Sequence, residues 1–217
     1  MIKSLIIVGT GAVASEITSC IEDSAYGCDK GIIIKGYICD NDSYMNKYKY
    51  SKPFLGSVDI YQPVDGDVFL LAIGDNNYRK QKAELLITKG ANFINFIHPS
   101  CIVDKNITIG VGNIIYPFSM IGSNVKLGNF NQLTSYSYVS HDCEIGDFNF
   151  FANAGLCGHV KVGNENNFNS KATVIPRICI GNRNTIQAGM IVDKNIKDDT
   201  TVFYRYKEKV IAIPKPD

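Results

Sequence analysis

The chain has 217 residues, of which 45% are apolar, enough to bury the core of one medium domain or two small ones. Lys and Arg number 22 and Asp and Glu number 21, so the charge balance predicts no bulk attraction to nucleic acid or to an anionic membrane. No apolar run approaches the ~20 residues of a membrane-spanning helix, and glycines follow the first apolar run too soon for a secretory signal.

Residues 1–97 alternate strand-like and helix-like segments. Apolar runs predict strands over 4–8, 31–39, 68–73 and 91–97, while helical spacing predicts helices over 14–21 and 78–89. The Tyr- and Lys-rich stretch 42–53 is predicted to be a loop. This order predicts a small open α/β unit whose strands are parallel.

The second part follows a period of six that fits neither a helix nor a plain strand. After His98-Pro99 an aliphatic or aromatic residue recurs at every sixth position, with one shortened repeat before Leu156, and glycine often follows it. The series is Val103, Ile109, Ile115, Ile121, Leu127, Leu133, Val139, Ile145, Leu156, Val162, Phe168, Val174, Ile180, Ile186 and Val192. Hexads of this kind predict a parallel β-helix of roughly five three-sided coils. Residues 201–217 lose the period and are predicted to form a cap or tail.

A glycine-rich turn follows the first predicted strand. Gly9-x-Gly11-x-x-Ala14 opens a helix, where backbone N–H groups and the helix N-terminus attract phosphate. Asp40 ends the second strand, where a carboxylate can bind a ribose hydroxyl, and Gly74 ends the third strand at the same sheet edge. The pattern predicts a bound nucleotide; a nicotinamide dinucleotide, and a tight turn without a ligand, stay as alternatives.

Histidine and cysteine supply the remaining candidate chemistry. His141 precedes Asp142, and a carboxylate beside an imidazole suits a general base, although a solvated turn is the alternative. His98 is predicted to be structural and His159 to be surface or a subunit contact. No CxxC pair occurs among the cysteines, which predicts a reducing cytoplasm, buried small thiols and no metal site. The seven cysteines are Cys20, Cys28, Cys39, Cys101, Cys143, Cys157 and Cys179.

Four motifs in order resemble a known family. They are Gly9-Thr-Gly-Ala-Val-Ala-Ser-Glu16, Ala72-Ile-Gly-Asp-Asn-Asn-Tyr-Arg79, His98-Pro99 and Ser140-His-Asp-Cys-Glu-Ile-Gly-Asp147. Over nearly the whole chain they resemble the bacterial sugar acetyltransferases of the sialic acid O-acetyltransferase family, which includes bacillosamine-pathway and perosamine N-acetyltransferases. The resemblance implies an α/β Rossmann-like nucleotide-sugar domain over residues 1–97, a left-handed parallel β-helix over residues 98–217, and a homotrimer.

The resemblance also implies an activity: acetyl transfer from acetyl-CoA to the 4-amino group of a nucleotide-linked 4-amino-4,6-dideoxy sugar, for surface glycan synthesis. It assigns His141 as the base and Asp142 as the acid that activates it. Gly158 matches the backbone contact to the acetyl carbonyl, and Ser170 and Ala188 match small residues along the CoA arm. The positions that match nucleotide-sugar contacts are Gly11, Ala12, Val13, Asp40, Asn41 and Gly74.

The chain departs from the family pattern at three places. Val13 and Phe150 stand where the family usually has histidines, and Tyr204-Arg-Tyr-Lys207 replaces its C-terminal element. An O-acetyltransferase of a sialic-acid-like sugar is the alternative enzyme. A non-catalytic, trimeric nucleotide-binding assembly protein is the alternative from another class.

Overall fold

The computed structural model describes residues 3–23 and 31–204. The first part is an α/β unit with strands β1 (Lys3–Val8), β2 (Ile32–Ile38) and β3 (Asp67–Leu71), and helices α1 (Ala12–Asp23), α2 (Tyr44–Tyr48) and α3 (Asn76–Thr88). The strands form one parallel sheet in the order β2-β1-β3. The last four residues of β1 and all of β3 are buried, as expected for parallel strands covered on both faces.

The structure confirms the first three predicted strands and both predicted helices. The fourth predicted strand, 91–97, is wrong. Phe93 makes only a single bridge to Phe69, and Phe96–Ile97 pairs instead with Ile114–Ile115 of the following β-helix. The segment 42–53, predicted as a loop, contains the short helix α2.

The second part is a parallel β-helix of about six turns. Its two-residue strands stack into three faces of seven, six and five strands. Face 1 contains Phe96–Ile97 (β4), Ile114–Ile115 (β7), Gln132–Leu133 (β10), Phe150–Phe151 (β13), Asn167–Phe168 (β16), Thr185–Ile186 (β19) and Thr201–Val202 (β21). Face 2 contains Ile102–Val103 (β5), Met120–Ile121 (β8), Tyr138–Val139 (β11), Gly155–Leu156 (β14), Thr173–Val174 (β17) and Ile191–Val192 (β20). Face 3 contains Thr108–Ile109 (β6), Lys126–Leu127 (β9), Glu144–Ile145 (β12), Lys161–Val162 (β15) and Cys179–Ile180 (β18).

The six-residue period is explained by the interior of this helix. The recurring aliphatic residues point inward and form one continuous buried cluster from Ile115 to Ile196. Glycine follows where coils approach closely: a Cβ on Gly128 would lie 2.6 Å from the carbonyl oxygen of Gly146. Pairing begins at Phe96 and reaches Val202, so the helix is about one turn longer than predicted, and part of the predicted tail is a strand. Residues 205–217 lie outside the described part.

Each corner of the β-helix needs a tight turn, and most are closed by a residue with positive φ that is not glycine. We call the corners 1–2, 2–3 and 3–1 after the faces they join. Non-glycine residues in this left-handed region cost about 1 kcal/mol or more each, which the stacked core must offset. They are Phe118, Asn124, Phe130, Tyr136, Asp142, Phe148, Asn153, His159, Glu165, Lys171, Arg177, Arg183 and Asp199.

A ladder of buried asparagines runs along corner 3–1. In Asn131, Asn149 and Asn166, Nδ2 donates to the asparagine Oδ1 one coil below, at 3.0–3.1 Å, and to a carbonyl oxygen of the coil above, at 2.9 Å. Among the described residues, Asn184 Nδ2 has no such partner. The ladder satisfies polar backbone groups that the corner would otherwise bury unpaired. Its fully buried members are Asn113, Asn131, Asn149, Asn166 and Asn184.

The α/β unit covers face 1. Gln132 Nε2 donates to the carbonyl oxygens of Leu71 and Ile73 at 3.0 and 3.1 Å, and Asn76 Nδ2 donates to Asn167 Oδ1 at 3.0 Å. Lys80 pairs with Glu165 at corner 3–1. Corner 2–3 is therefore the edge of the prism opposite the α/β unit. None of the described helices combines the length and apolar character needed to cross a bilayer.

Candidate active site

His141 and Asp142 occupy corner 2–3, on the turn after β11. His141 Nδ1 lies 2.7 Å from Asp142 Oδ2, and the imidazole is 58% exposed. Because the carboxylate accepts from Nδ1, that nitrogen holds the proton in the neutral ring and Nε2 is left as an acceptor. The structure thus brings together the two residues that the sequence singled out, with one ring nitrogen available for chemistry.

Asp142 is held by two further groups. Asn124 Nδ2, one coil below, donates to Asp142 Oδ1 at 2.7 Å. His159 Nε2, one coil above, lies 3.8 Å from Asp142 Oδ2. The hydrogen bond from Asn124, followed by that from His141, lowers the pKa of the Asp142 carboxyl, so it stays ionised and orients the imidazole at neutral pH.

Gly158 lies against the imidazole. A Cβ at this position would lie 2.7 Å from both Cε1 and Nε2 of His141, so a larger residue would displace the ring. Within the described residues, no acceptor pairs with the Gly158 N–H. A backbone N–H close to a reacting carbonyl group can stabilise a developing oxyanion.

The other two predicted CoA contacts lie at a different corner. Ser170 and Ala188 are exposed residues of corner 1–2, where the Gly189 N–H donates to the Ser170 carbonyl oxygen at 2.8 Å. Face 2 separates them from Gly158. Within one protomer, the structure therefore does not bring these two residues beside His141.

The glycine-rich turn forms one end of a cleft of about 240 Å³ at the carboxyl ends of the sheet strands. Gly9 has φ of +116°, and a Cβ there would lie 2.6 Å from the carbonyl oxygen of Ala72, which explains the first glycine of the motif. The lining residues include Gly11, Ala12, Val13, Asn41 and Gly74. Five of the six predicted nucleotide-sugar positions thus share one cleft.

Asp40, the sixth, lies beside the cleft and is engaged by side chains. Tyr78 Oη donates to its Oδ2 at 2.7 Å, and Lys82 Nζ lies 2.8 Å from the same oxygen. Partial burial acts to raise the pKa of the Asp40 carboxyl, but the bonds from Lys82 and Tyr78 outweigh it and the net shift is downward.

Two residues that support the cleft were not predicted. Arg79 is 1% exposed, and its Nη1 donates to the carbonyl oxygens of Ile73 and Gly74 at 3.0 and 3.3 Å. Gln132 holds the Ile73 carbonyl from face 1. Burial lowers the pKa of the Arg79 guanidinium to about 10, so the group stays charged and fixes the turn that carries Gly74.

The remaining histidine and cysteine predictions have mixed outcomes. His98 is structural: its Nδ1 lies 2.8 Å from Ser100 Oγ. Cys143 is fully buried, and burial raises the pKa of its thiol to about 11, which makes it a packing residue. Among the described cysteines, the prediction of buried thiols is confirmed only for Cys143. Cys179 is exposed and the others are half-buried, namely Cys20, Cys39, Cys101 and Cys157. Cys28 lies outside the described residues. His159 was predicted to be surface or a subunit contact. Its side chain is exposed, and its ring also lies 5.2 Å from that of His141.

The chain is similar to known proteins both in sequence and in fold. UDP-N-acetylbacillosamine N-acetyltransferase of Bacillus subtilis (strain 168) is 38% identical over 65 residues, which span 30% of each chain. No family model matches the chain.

Solved structures share the fold over most of the chain. A mutant of perosamine N-acetyltransferase from Caulobacter crescentus, in complex with CoA and GDP-perosamine, has a TM-score of 0.78 at 21% identity, covering 93% of each chain. The acetyltransferase domain of PglB from Neisseria gonorrhoeae, in complex with acetyl coenzyme A, has a TM-score of 0.81 at 21% identity, covering 93% of this chain and 96% of that one.

Proposed function

We propose that this protein is an acetyl-CoA-dependent N-acetyltransferase that acts on the 4-amino group of a nucleotide-linked 4-amino-4,6-dideoxy sugar, for surface glycan synthesis. The observation that carries the proposal is the His141–Asp142 pair, set against Gly158 in the β-helix. The similar fold of a perosamine N-acetyltransferase with CoA and GDP-perosamine bound supports it, as does the partial sequence match to a bacillosamine-pathway enzyme.

In this proposal His141 is the general base. Its Nε2 accepts a proton from the sugar amine as the nitrogen attacks the thioester carbonyl. Asp142 accepts from Nδ1 at 2.7 Å, which holds the ring in one tautomer and stabilises the imidazolium. His141 then returns the proton to the departing thiolate of CoA, so no covalent enzyme intermediate forms.

Gly158 contributes its backbone N–H. The negative charge that develops on the acetyl oxygen needs a donor close to the reacting carbon. Gly158 packs against the His141 ring, and its N–H has no acceptor among the described residues. A donor of this kind is worth roughly 10²–10³ in kcat in other acyl-transfer enzymes. Ser170 and Ala188 are proposed to line the CoA arm.

The α/β unit, residues 1–97, is proposed to be a Rossmann-like domain that binds the nucleotide sugar. Gly11, Ala12 and Val13 offer a helix N-terminus to the phosphates, while Asn41 and Gly74 lie across the same cleft. Asp40 is proposed to accept a hydrogen bond from a ribose hydroxyl, which replaces its present bond from Tyr78 or Lys82.

The protein is proposed to be a homotrimer, and the separation of the two half-sites supports its assembly. The nucleotide cleft belongs to the unit that covers face 1, whereas His141 lies at the opposite corner. One protomer therefore presents the acceptor sugar and its neighbour presents the base, with acetyl-CoA in the groove between two left-handed β-helices, residues 98–217. We also propose a cytoplasmic location, because Cys101, Cys143, Cys157 and Cys179 are free thiols.

The test measures CoA release with a thiol reagent, using acetyl-CoA and a panel of UDP-, GDP- and dTDP-linked 4-amino sugars. We expect turnover with at least one amino sugar, and His141→Asn is expected to lower kcat at least 10³-fold with its melting temperature preserved. His98→Asn is the control, since its imidazole bonds to Ser100 of its own turn.

Three results would contradict the proposal. Turnover of hydroxyl sugars alone would favour the O-acetyltransferase, and nucleotide-sugar binding without any transfer would favour the assembly protein. Undiminished turnover by His141→Asn would remove the proposed base.

A further inference from the structure

Three potential metal ligands converge at corner 2–3, on consecutive coils of the β-helix. One nitrogen each from His141 and His159 and one carboxylate oxygen from Asp142 all lie within 4.8 Å of one another. Their side chains are 58%, 46% and 34% exposed, respectively, so an ion can reach them from solvent. We propose that these three residues form a binding site for a divalent transition-metal ion, Zn²⁺ above all, which inhibits the enzyme reversibly.

The distances suit a zinc site. Zn²⁺ holds imidazole and carboxylate ligands at about 2.0–2.2 Å in a tetrahedral shell, which sets neighbouring ligand atoms about 3.4 Å apart. Asp142 Oδ2 lies 2.7 Å from His141 Nδ1 and 3.8 Å from His159 Nε2. One separation is shorter and the other longer than the required value, so small side-chain rotations bring all three atoms into the shell.

The surroundings favour a preorganised carboxylate. Asn124 holds Asp142 Oδ1 at 2.7 Å and leaves Oδ2 between the two imidazoles. The rings of His141 and His159 meet edge to face, with centroids 5.2 Å apart, and one nitrogen of each ring lies within 4.8 Å of the other and of the Asp142 carboxylate. Two imidazoles with one carboxylate favour Zn²⁺, Cu²⁺ or Ni²⁺ over Mg²⁺ or Ca²⁺.

Inhibition follows from which atoms the ion occupies. An ion on His141 Nδ1 replaces the proton that now forms the hydrogen bond to Asp142. The ion also draws electron density from the ring, so Nε2 becomes a poorer proton acceptor. This consequence rests on the proposed function, whereas binding of the ion does not. His159 supplies a ligand to the ion, whereas the proton in the proposed transfer is carried by His141.

The experiment uses untagged, chelator-treated protein with Cys179→Ser, which removes the exposed thiol as a competing ligand. Zn²⁺ affinity is measured by competition with a chromophoric zinc indicator. We expect His159→Asn and Asp142→Asn each to weaken binding at least tenfold, while His98→Asn leaves it unchanged. Equal affinity in the parent and in His159→Asn would overturn the site.

A second arm measures turnover. In the active enzyme, Zn²⁺ is expected to inhibit over the range in which it binds. His159→Asn should need at least tenfold more Zn²⁺ to halve its own metal-free kcat. Binding of Zn²⁺ without inhibition of an active enzyme would overturn the inhibitory role. A protein that binds Zn²⁺ through His159 but transfers no acetyl group supports the site and counts against the proposed function alone.

Discussion

At the scale of single residues, corner 2–3 is built from two neighbouring columns. Asn124, Asp142 and His159 follow one another up the column of positive-φ positions, so their side chains touch in series. The adjacent column places His141 directly below Gly158. The repeat of the coil thus turns residues 17 or 18 positions apart into contacts, and a catalytic arrangement needs no long loop.

Gly158→Ala tests the contact between the glycine and the imidazole. The new methyl group would lie 2.7 Å from the ring, which forces His141 to rotate away from Asp142. We expect kcat to fall about 10- to 100-fold, in line with the cost of a small misplacement of a catalytic group. Thermal unfolding should change little, because the displaced ring is exposed. Unchanged kcat would contradict the proposed packing.

Asn124→Ala tests the carboxylate. The bond from Asn124 is the largest cause of the lowered pKa of Asp142, so its loss should raise that pKa toward the ordinary value. A lowered pKa stabilises the fold above the unfolded-state pKa, and this contribution disappears as pH falls through the folded-state pKa. The variant should therefore lose this stabilisation at a higher pH than the parent protein. Carboxyl ¹³C NMR titration measures the pKa of Asp142 in both. Asn106→Ala, one coil below, is the matched control; an identical Asp142 titration in both variants would contradict the assignment.

At the scale of elements, the asparagine ladder closes corner 3–1. Asn149 takes part in four side-chain bonds: its Nδ2 donates to Asn131 and Gly163, and its Oδ1 accepts from the backbone and side chain of Asn166. All of these groups lie where water cannot replace a lost partner. The ladder is thus the polar counterpart of the aliphatic stack in the core.

Asn149→Ala is expected to destabilise the protein by about 3–5 kcal/mol, because several buried polar groups lose their partners at once. Asn164→Ala is the matched control. That residue also bonds along a corner ladder but is exposed, so water replaces it and the loss should stay below about 1 kcal/mol. Urea denaturation measures both, and equal losses would contradict the role of burial.

The sequence predicted those elements whose signal is local. The period of six follows from inward aliphatic residues such as Leu133 and Val139, and the helices follow from apolar spacing. The predicted strand at 91–97 was wrong because Phe93 and Phe96 are equally apolar in the sequence. Only the tertiary pairing shows that Phe93 bridges to the α/β sheet and Phe96 to the β-helix.

The supporting residues of the candidate site were harder to predict. His159 contacts Asp142 from the next coil, and Arg79 holds the turn that carries Gly74. Contacts of this kind join residues that do not form one motif in the sequence. The ladder did carry a signal, because asparagine recurs 18 residues apart at Asn95, Asn113, Asn131 and Asn149.

At the scale of the whole molecule, the proposed function makes assembly part of the chemistry, because its two half-sites are separated. The nucleotide cleft lies in the unit that is packed on face 1 through Gln132. His141 lies on the opposite edge of the prism. A closed ring of three copies can set each His141 beside the cleft of a neighbour, so light scattering should give the mass of a trimer.

Subunit mixing tests this arrangement. His141→Asn lacks the base, and Gly11→Trp fills the nucleotide cleft at a position where a Cβ meets no atom within 4 Å, so both variants should fold and be inactive alone. If each site joins residues of two protomers, unfolding and refolding an equal mixture restores about one quarter of wild-type activity, since random assembly leaves that share of sites intact.

The same mixture combined without unfolding is the control, and it should stay inactive while trimers do not exchange subunits. An inactive refolded mixture of correct trimer mass would mean that base and cleft meet within one chain. That result would require the α/β unit to leave face 1 and reach corner 2–3. The bonds of Gln132 and Asn76 across that interface argue against such a movement, because breaking them would leave buried amide and carbonyl groups unpaired.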